Sequence, residues 1–210
     1  MKDLQKFFKG KKILITGHTG FKGSWMTLVL NHFGSSVYGY SLQPPTNPSN
    51  YSILQIKNSI KESKIGDIRD FNKLNKYINK VKPEIIFHMA AQSLVKKSYS
   101  KPIDTLNTNI IGTSNILEIS KNLSCLRSLV IITSDKCYKN LEKKTGYKEG
   151  DILGGTDLYS ASKACAETII YSYEKSFFKN KNKVGLASVR AGNVIGGGDW
   201  SEDRIIPDII

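Results

Sequence analysis

Residues 11–23, KKILITGHTGFKG, decide the fold. KKILIT (11–16) reads as a buried strand, and Gly17, Gly20 and Gly23 follow it at three-residue intervals as a helical pattern opens. Glycine is needed there on three counts: the turn demands unusual backbone angles, a pyrophosphate must approach bare backbone, and the helix must pack tightly on the sheet. The helix N-terminus then presents its partial positive charge to the phosphates. A chain with 17 glycines produces spaced trios by accident. The succession of strand, turn and helix is what points to a dinucleotide site.

Outward from this turn, further β-rich runs alternate with helical patterns: SVYGYS (36–41), SKIGD (63–67), PEIIFHM (83–89), SLVIIT (128–133) and KVGLASVR (183–190). That alternation predicts a doubly wound parallel sheet of the Rossmann type, with helices on both faces. In the first helix, 21–33, Trp25, Leu28, Val29 and Phe33 fall near one face, with Trp25 assigned to the core and Gly34 placed as the C-terminal cap. Phe71, Leu74 and Ile78 mark a second helix, and Ile110, Ile111, Leu117 and Ile119 a long third. A fourth follows Tyr159. The stretches 43–50 and 140–157 carry loop chemistry, and residues 196–198 with Pro207 belong to a connection.

Composition narrows the class. The 210 residues suit one well-buried domain. No apolar run reaches membrane-spanning length and the N-terminus lacks the apolar core of a signal peptide, so a cytoplasmic protein with no membrane partner is expected. Cys125, Cys137 and Cys165 have neither disulfide nor zinc spacing and are expected as buried free thiols, with no metal bound. The net charge of +13 comes from lysines spread through helices and loops, among them Lys57, Lys61, Lys73, Lys76, Lys80, Lys179, Lys181 and Lys183. They form no arginine-rich stripe, so no nucleic-acid partner is expected. A positive field also attracts an anionic nucleotide substrate.

Two clusters carry chemistry. Tyr159 and Lys163 form a Tyr-x-x-x-Lys pair, which places phenol and ammonium on one helical face. A nearby cation stabilises phenolate, so tyrosine can act as a base despite a reference pKa near ~10. Tyr171 and Lys175 repeat the spacing, but roughly 18 Å further along the axis and about 120° around it, so one pocket cannot use both. Tyr159 starts a helix near the sheet's carboxyl edge, where ligands bind, and Tyr171 is read as structural. After the fifth strand, Thr133, Ser134, Asp135 and Lys136 supply a hydroxyl, a carboxylate and an amine. That sequence suits proton transfer to and from a sugar, and equally a solvated Asx turn.

The strings TGHTGFKG, HMAAQSLVKKSY, TSDKCY, YSASKACAE and RAGNVIGGGDWSEDRIIPD, taken together, resemble the CDP-glucose 4,6-dehydratases. These are NAD-dependent members of the extended short-chain dehydrogenase/reductase and epimerase/dehydratase group. The likeness covers nearly the whole chain. Asp135-Lys136 is its discriminating segment, since the related dTDP-glucose and GDP-mannose dehydratases carry Asp-Glu there.

The resemblance implies a lyase that converts CDP-glucose to CDP-4-keto-6-deoxyglucose by internal hydride transfer through NAD, in deoxysugar and O-antigen biosynthesis. Ser134, Tyr159 and Lys163 then serve oxidation at C4, Lys136 takes the C5 proton, and Asp135 protonates the departing C6 hydroxyl. Neutral lysine is required, so a pocket that depresses the Lys136 pKa is expected. Cofactor contacts fall to Gly17, Gly20, Phe21, Lys22, Gly23, Asp67, Ile68, Ala90, Ala91, Gln92, Thr108, Tyr159 and Lys163. Substrate contacts fall to Ser134, Asn193, Arg204, Ile205 and Pro207.

His88 is expected as a packed core histidine, and Trp200 as a loop residue of undefined role. The acidic residue that usually binds the adenosine ribose after the second strand is absent, as is an arginine for a 2′-phosphate. Residues 1–195 form the NAD-binding unit, and 196–210 start a substrate-binding region that continues much further in such enzymes, which are homo-oligomers at full length. Another nucleotide-sugar dehydratase or epimerase, or a truncated and catalytically silent NAD-binding or interaction protein, stand as alternatives.

Overall fold

The computed structural model describes residues 1–179, 184–204 and 206–209. In chain order the elements are α1 (Lys2–Phe8), β1 (Lys12–Thr16), α2 (Phe21–His32), β2 (Ser36–Ser41), the short α3 (Asn50–Ile53) and α4 (Ile56–Ser59), and β3 (Glu62–Ile65). Then come α5 (Phe71–Val81), β4 (Ile85–His88), α6 (Val95–Ser100), α7 (Pro102–Leu106), α8 (Gly112–Ser120), β5 (Ser128–Ile132), α9 (Leu158–Tyr173) and β6 (Gly185–Val189). All six strands run parallel in the order β3-β2-β1-β4-β5-β6. The order reverses between β1 and β4, which opens a crevice at their carboxyl ends.

Neighbouring residues of one strand bury on opposite faces, as the two-residue period of a strand requires. Leu14, Tyr40, Ile86 and Leu129 pack with α5, α8 and α9 residues such as Leu74, Ile78, Ile116, Leu117 and Ile170. Ile13, Ile15, Val37 and Ile85 pack with Leu30 of α2 and Ile60 on the other side. β6 closes one end of the described sheet, with Gly185, Ala187 and Val189 exposed.

All six expected strands are present within a residue or two of their expected bounds, although Lys183, with Lys181 of the surface lysines, lies outside the described residues. The buried face of α2 is a correction: it consists of Gly23, Ser24, Thr27 and Leu30. Trp25 is 41% and Val29 44% exposed. The reason is proximity, since a Cβ at Gly23 would lie 2.1 Å from the Gly17 carbonyl oxygen. Only small side chains fit beneath a helix that close, and Ser24 and Thr27 satisfy their hydroxyls on the Gly20 and Gly23 carbonyls at 2.9 and 2.8 Å.

In α5, Leu74 and Ile78 are buried with Tyr77 and Val81, while Phe71 in the first turn is part-exposed. Gly34, with φ of 80°, ends the α2 turn as expected. The third helix is one run from Pro102 to Ser120, widened by a π-turn at Asn107–Ile111. The cysteines are free, but only Cys137 is buried; Cys125 is part-buried and Cys165 exposed. Cys165 occupies the outer face of α9, because Tyr159, Ser162, Lys163, Ala166 and Glu167 take the inner one. Among the described residues no helix is long and apolar enough to cross a membrane.

Candidate active site

The glycine turn sits at the crevice. Gly17 has φ of 79°, and a Cβ there would meet the Ala90 nitrogen at 2.8 Å, so glycine is required on both grounds. Gly20 differs. Its φ is −78°, and an added Cβ finds its nearest neighbour at an ordinary 3.4 Å. Gly20 is the N-cap of α2 and supplies no side-chain acceptor to the first-turn amides. Those donors, with Phe21 and Lys22 half-buried beside them, fit an anionic group placed at the helix start.

Beyond β2, where an acidic residue is missing, Thr19 Oγ1 and Ser41 Oγ pair at 2.7 Å, and Thr19 also donates to the Leu42 carbonyl at 2.9 Å. His18 is fully buried against Gly39, and its Nε2 pairs with Ser63 Oγ at 2.7 Å. Burial brings its pKa down to about 4, so the ring is neutral near pH 7.

Asp67 lies at the mouth beyond β3, forked by Arg69, which also binds Asp104. That arginine holds the Asp67 carboxyl below its usual range. Ile68 points the other way, into the main core against Gly112, leaving only its backbone to face a ligand. Ala90 and Ala91 follow β4, half-buried, as is Thr108. The Gln92 side chain is consumed internally: Nε2 donates to the Leu94 carbonyl at 3.0 Å and to Thr105 Oγ1 at 2.9 Å, and Oε1 accepts from Leu94 N at 2.7 Å. Its role is to shape the loop. His88 is packed as expected, its Nδ1 at 2.7 Å from Thr16 Oγ1 and its Nε2 at 3.2 Å from Thr113 Oγ1, and burial brings its pKa down to about 3.

Asp157 caps α9, accepting from Ser160 N at 2.9 Å, and so fixes Tyr159 in the first turn. Tyr159 is 8% and Lys163 6% exposed. The Tyr159 phenol faces Ser134; burial raises its pKa, and Ser134 and Arg204 pull it back. Lys163 Nζ donates to the Ile132 carbonyl at 3.4 Å, and burial, assisted by Lys22, brings its pKa down to about 8. The short helix Asp135–Cys137 follows β5. Ser134 Oγ donates to Asp135 Oδ1 at 3.1 Å and accepts from Lys136 N at 3.2 Å. Asp135 and Lys136 are exposed at the mouth, so the pocket expected around Lys136 is not formed by the described residues, because the turn lies on the open side of the crevice. The fold therefore brings Ser134, Tyr159, Lys163 and Lys22 together, with Asp135 and Lys136 beside them.

The segment after β6 returns across this mouth. Asp135 N donates to the Ala191 carbonyl at 3.0 Å, and Gly192 faces the Asp135 carboxylate. Trp25 is the second correction: instead of filling the core, its Nε1 donates to the Gly197 carbonyl at 2.9 Å. Asn50 lies against Gly198 and donates to the Phe21 carbonyl at 3.3 Å. Arg204 reaches Asp199 at 3.5 Å and Ser93 Oγ at 3.4 Å. Asn193 is exposed and Pro207 half-buried, while Ile205 lies outside the described residues.

Residues 14–181 match the family model described as GDP-mannose 4,6 dehydratase. The chain belongs to that family. Over 98% of its length it is 53% identical to CDP-glucose 4,6-dehydratase of Salmonella typhimurium, of which it covers 58%. It is 33% identical to dTDP-D-glucose 4,6-dehydratase of Dictyostelium discoideum, with 95% of this chain and 47% of that protein covered. The chain thus spans about half the length of these relatives. Among solved structures, the epimerase Mth375 of Methanothermobacter thermautotrophicus superposes with a TM-score of 0.82 at 23% identity, covering 98% of this chain and 59% of its own. MoeE5 in complex with UDP-glucose and NAD gives 0.76 at 22%, covering 94% and 59%. These two likenesses show the fold.

Within this dehydratase-family fold, three residues outside the sequence expectations organise the site. Asn109 on the π-turn is 2% exposed; it accepts from Gln92 N at 2.9 Å and donates to the Gln92 carbonyl at 3.0 Å and Ser162 Oγ at 2.8 Å. It ties the loop after β4 to α9. Asn107, Asn109 and Asn115 all lie in this helical stretch, and nothing in its sequence singles out Asn109. Glu167, buried, pairs with the part-buried Arg190 at 2.8 Å, and a charged residue on the inner face of α9 was the corresponding clue.

Proposed function

We propose that this chain is the nucleotide-binding and catalytic portion of a CDP-glucose 4,6-dehydratase that uses NAD and works in the cytoplasm. The observation that carries the reading is the buried Tyr159, facing Ser134 and sharing an α9 face with Lys163, beside the Asp135-Lys136 turn. The likeness to the Salmonella protein supports CDP-glucose over other nucleotide sugars. The uncapped α2 start and the cradle at Gly17 and Gly23 suit the cofactor diphosphate. Lys22, Phe21, Asp67, the Ile68 backbone, Ala90, Ala91 and Thr108 border the same crevice. Thr19 and Ser41 leave no carboxylate at the ribose and no cation for a 2′-phosphate.

Bound NAD supplies a hydride acceptor and donor at the sugar. Tyr159, as phenolate stabilised by the Lys163 ammonium and held by Ser134, takes the proton of the C4 hydroxyl as C4 becomes a ketone. The ketone acidifies C5, whose proton Lys136 takes. Asp135 protonates the C6 hydroxyl, which leaves as water. Lys136 then returns its proton to C5, and solvent carries the Tyr159 proton back to Asp135, so the net change is loss of one water. Asn193, Arg204, Ile205 and Pro207 are assigned to the substrate nucleotide, with 1–195 as the cofactor unit and 196–210 as the entry to a substrate-binding region. Exposed Tyr99, Ile103 and Ile111 on neighbouring helices support a homo-oligomer at full length.

The test is Lys136→Ala in the full-length protein. NAD is still reduced with CDP-glucose in a single turnover, the 4-keto-glucose stage accumulates, and C5 deuterium exchange nearly stops; exchange at the parent rate rejects Lys136 as the base. Turnover of dTDP-, UDP- or GDP-glucose in preference to CDP-glucose rejects the substrate, and tighter calorimetric binding of NADP than NAD rejects the cofactor.

A further inference from the structure

Glu167 stands one helical turn beyond Lys163, and residues four and eight apart share a face, so it continues the line of Tyr159 and Lys163. It is 5% exposed and both carboxylate oxygens are engaged. One accepts from the Thr133 hydroxyl at the end of β5. The other accepts from Ser188 Oγ in β6 at 3.0 Å and from Arg190 Nη2 at 2.8 Å. Arg190 is held in turn: Nη1 donates to the Glu149 carbonyl at 2.9 Å, and the guanidinium covers the Tyr138 ring at 4.8 Å. One ion pair therefore joins α9, β5, β6 and the 138–153 loop.

We propose that Glu167, clamped by Arg190, is a positioning residue that holds the 133–136 turn against the α9 face carrying Tyr159 and Lys163. The inference rests on α9 as the seat of the reaction's base. Thr133 immediately precedes Ser134, so the Glu167 bond, together with the Thr133 N bond to the Val189 carbonyl at 2.9 Å, sets where Ser134 stands beside Tyr159. Glu167 also acts electrostatically. Lys163 faces Lys22 from α2, His88 from β4 and Cys137 from the turn, and Glu167 opposes the burial and the Lys22 repulsion that lower its pKa. Tyr159 faces Arg204, Asp135 and Asp157, and in the proposed reaction the Lys163 ammonium on the same helical face stabilises its phenolate.

Two variants separate the effects in the full-length protein. Glu167→Gln keeps an acceptor and loses the charge. A ¹³C titration of the Lys163 ε-carbon then falls by about one unit, and the acid limb of NAD reduction by CDP-glucose moves to higher pH. Thr133→Val removes the hydroxyl that joins the turn to Glu167, together with its 3.3 Å bond to the Val189 carbonyl, and leaves the Glu167 charge in place: single-turnover NAD reduction slows by roughly tenfold or more with KM held within about twofold, and the Lys163 titration stays put. A Lys163 titration unmoved in Glu167→Gln, or Thr133→Val reacting at the parent rate, overturns the proposal. If Glu167→Gln does not fold, Thr133→Val decides. If the parent reduces no NAD with CDP-glucose, the proposed function fails while the Lys163 titration still decides the role of Glu167.

Discussion

The two Tyr-x-x-x-Lys pairs share one helical run and differ in everything except spacing. Tyr159 is 8% and Lys163 6% exposed, with the phenol facing Ser134. Tyr171 is 62% exposed, its ring covered at 4.8 Å by Lys175, which pairs with Glu174 at 3.2 Å. Burial lowers the Lys163 pKa, whereas the Glu174 carboxylate raises that of Lys175. Spacing aligns a phenol and an ammonium in either case. Chemistry needs the pair to be desolvated, oriented by a third group and placed at the sheet's carboxyl edge, and only the first pair has all three.

The largest way to break this contrast is Tyr159→Phe against Tyr171→Phe. The first lowers single-turnover NAD reduction by about 10³-fold or more, and the second leaves it within about twofold; equal losses reject the assignment.

Lys163→Met against Lys175→Met gives the next effect. The folded protein releases the Lys163 proton near pH 8, while the unfolded chain keeps it to the ordinary 10.5. Stability therefore rises with pH across that window, and the full burial cost is present below it. Lys163→Met raises unfolding stability at pH 7 by about 1–3 kcal/mol and flattens the rise. Lys175→Met leaves the denaturation midpoint unchanged.

His88, facing Lys163, sharpens the contrast on the acid side. Its folded pKa of about 3 lies below the ordinary 6.5, so stability is lost as pH falls through that interval. Lys163→Met lifts the His88 value in an NMR titration, and His88→Gln removes about 1.4 kcal/mol of acid sensitivity per pH unit. Lys175→Met alters neither.

Local pattern made the sheet, the glycine turn and both reactive clusters legible, because strand alternation, phosphate cradling and helical spacing are short-range properties. Trp25 and the inner face of α2 were not legible. The distance between that helix and the Gly17 turn admits Gly23, Ser24 and Thr27 beneath it, and hydrophobicity alone selects the opposite face. Glu167 and Arg190 lie 23 residues apart and meet only once β6 is laid beside β5. Asn109 acquires its partners from the π-turn, a departure from helical periodicity that the sequence of that stretch does not announce. Gly20 shows the reverse, a glycine of the trio whose backbone and surroundings admit a side chain and whose contribution is an uncapped helix start.

The end of the sheet at β6 bears on how the molecule behaves in bulk. Gly185, Leu186, Ala187, Ser188 and Val189 present a short edge free of charge and proline, and among the described residues no strand covers its outer side. Edges of this composition template pairing with a second chain. A net charge of +13 opposes such encounters in dilute buffer, and salt screens that repulsion within a few ångströms at high ionic strength. Solutions of this chain should therefore be colloidally stable at low salt and scatter light increasingly as salt is added, and Ala187→Lys, by charging the edge itself, should suppress the scattering.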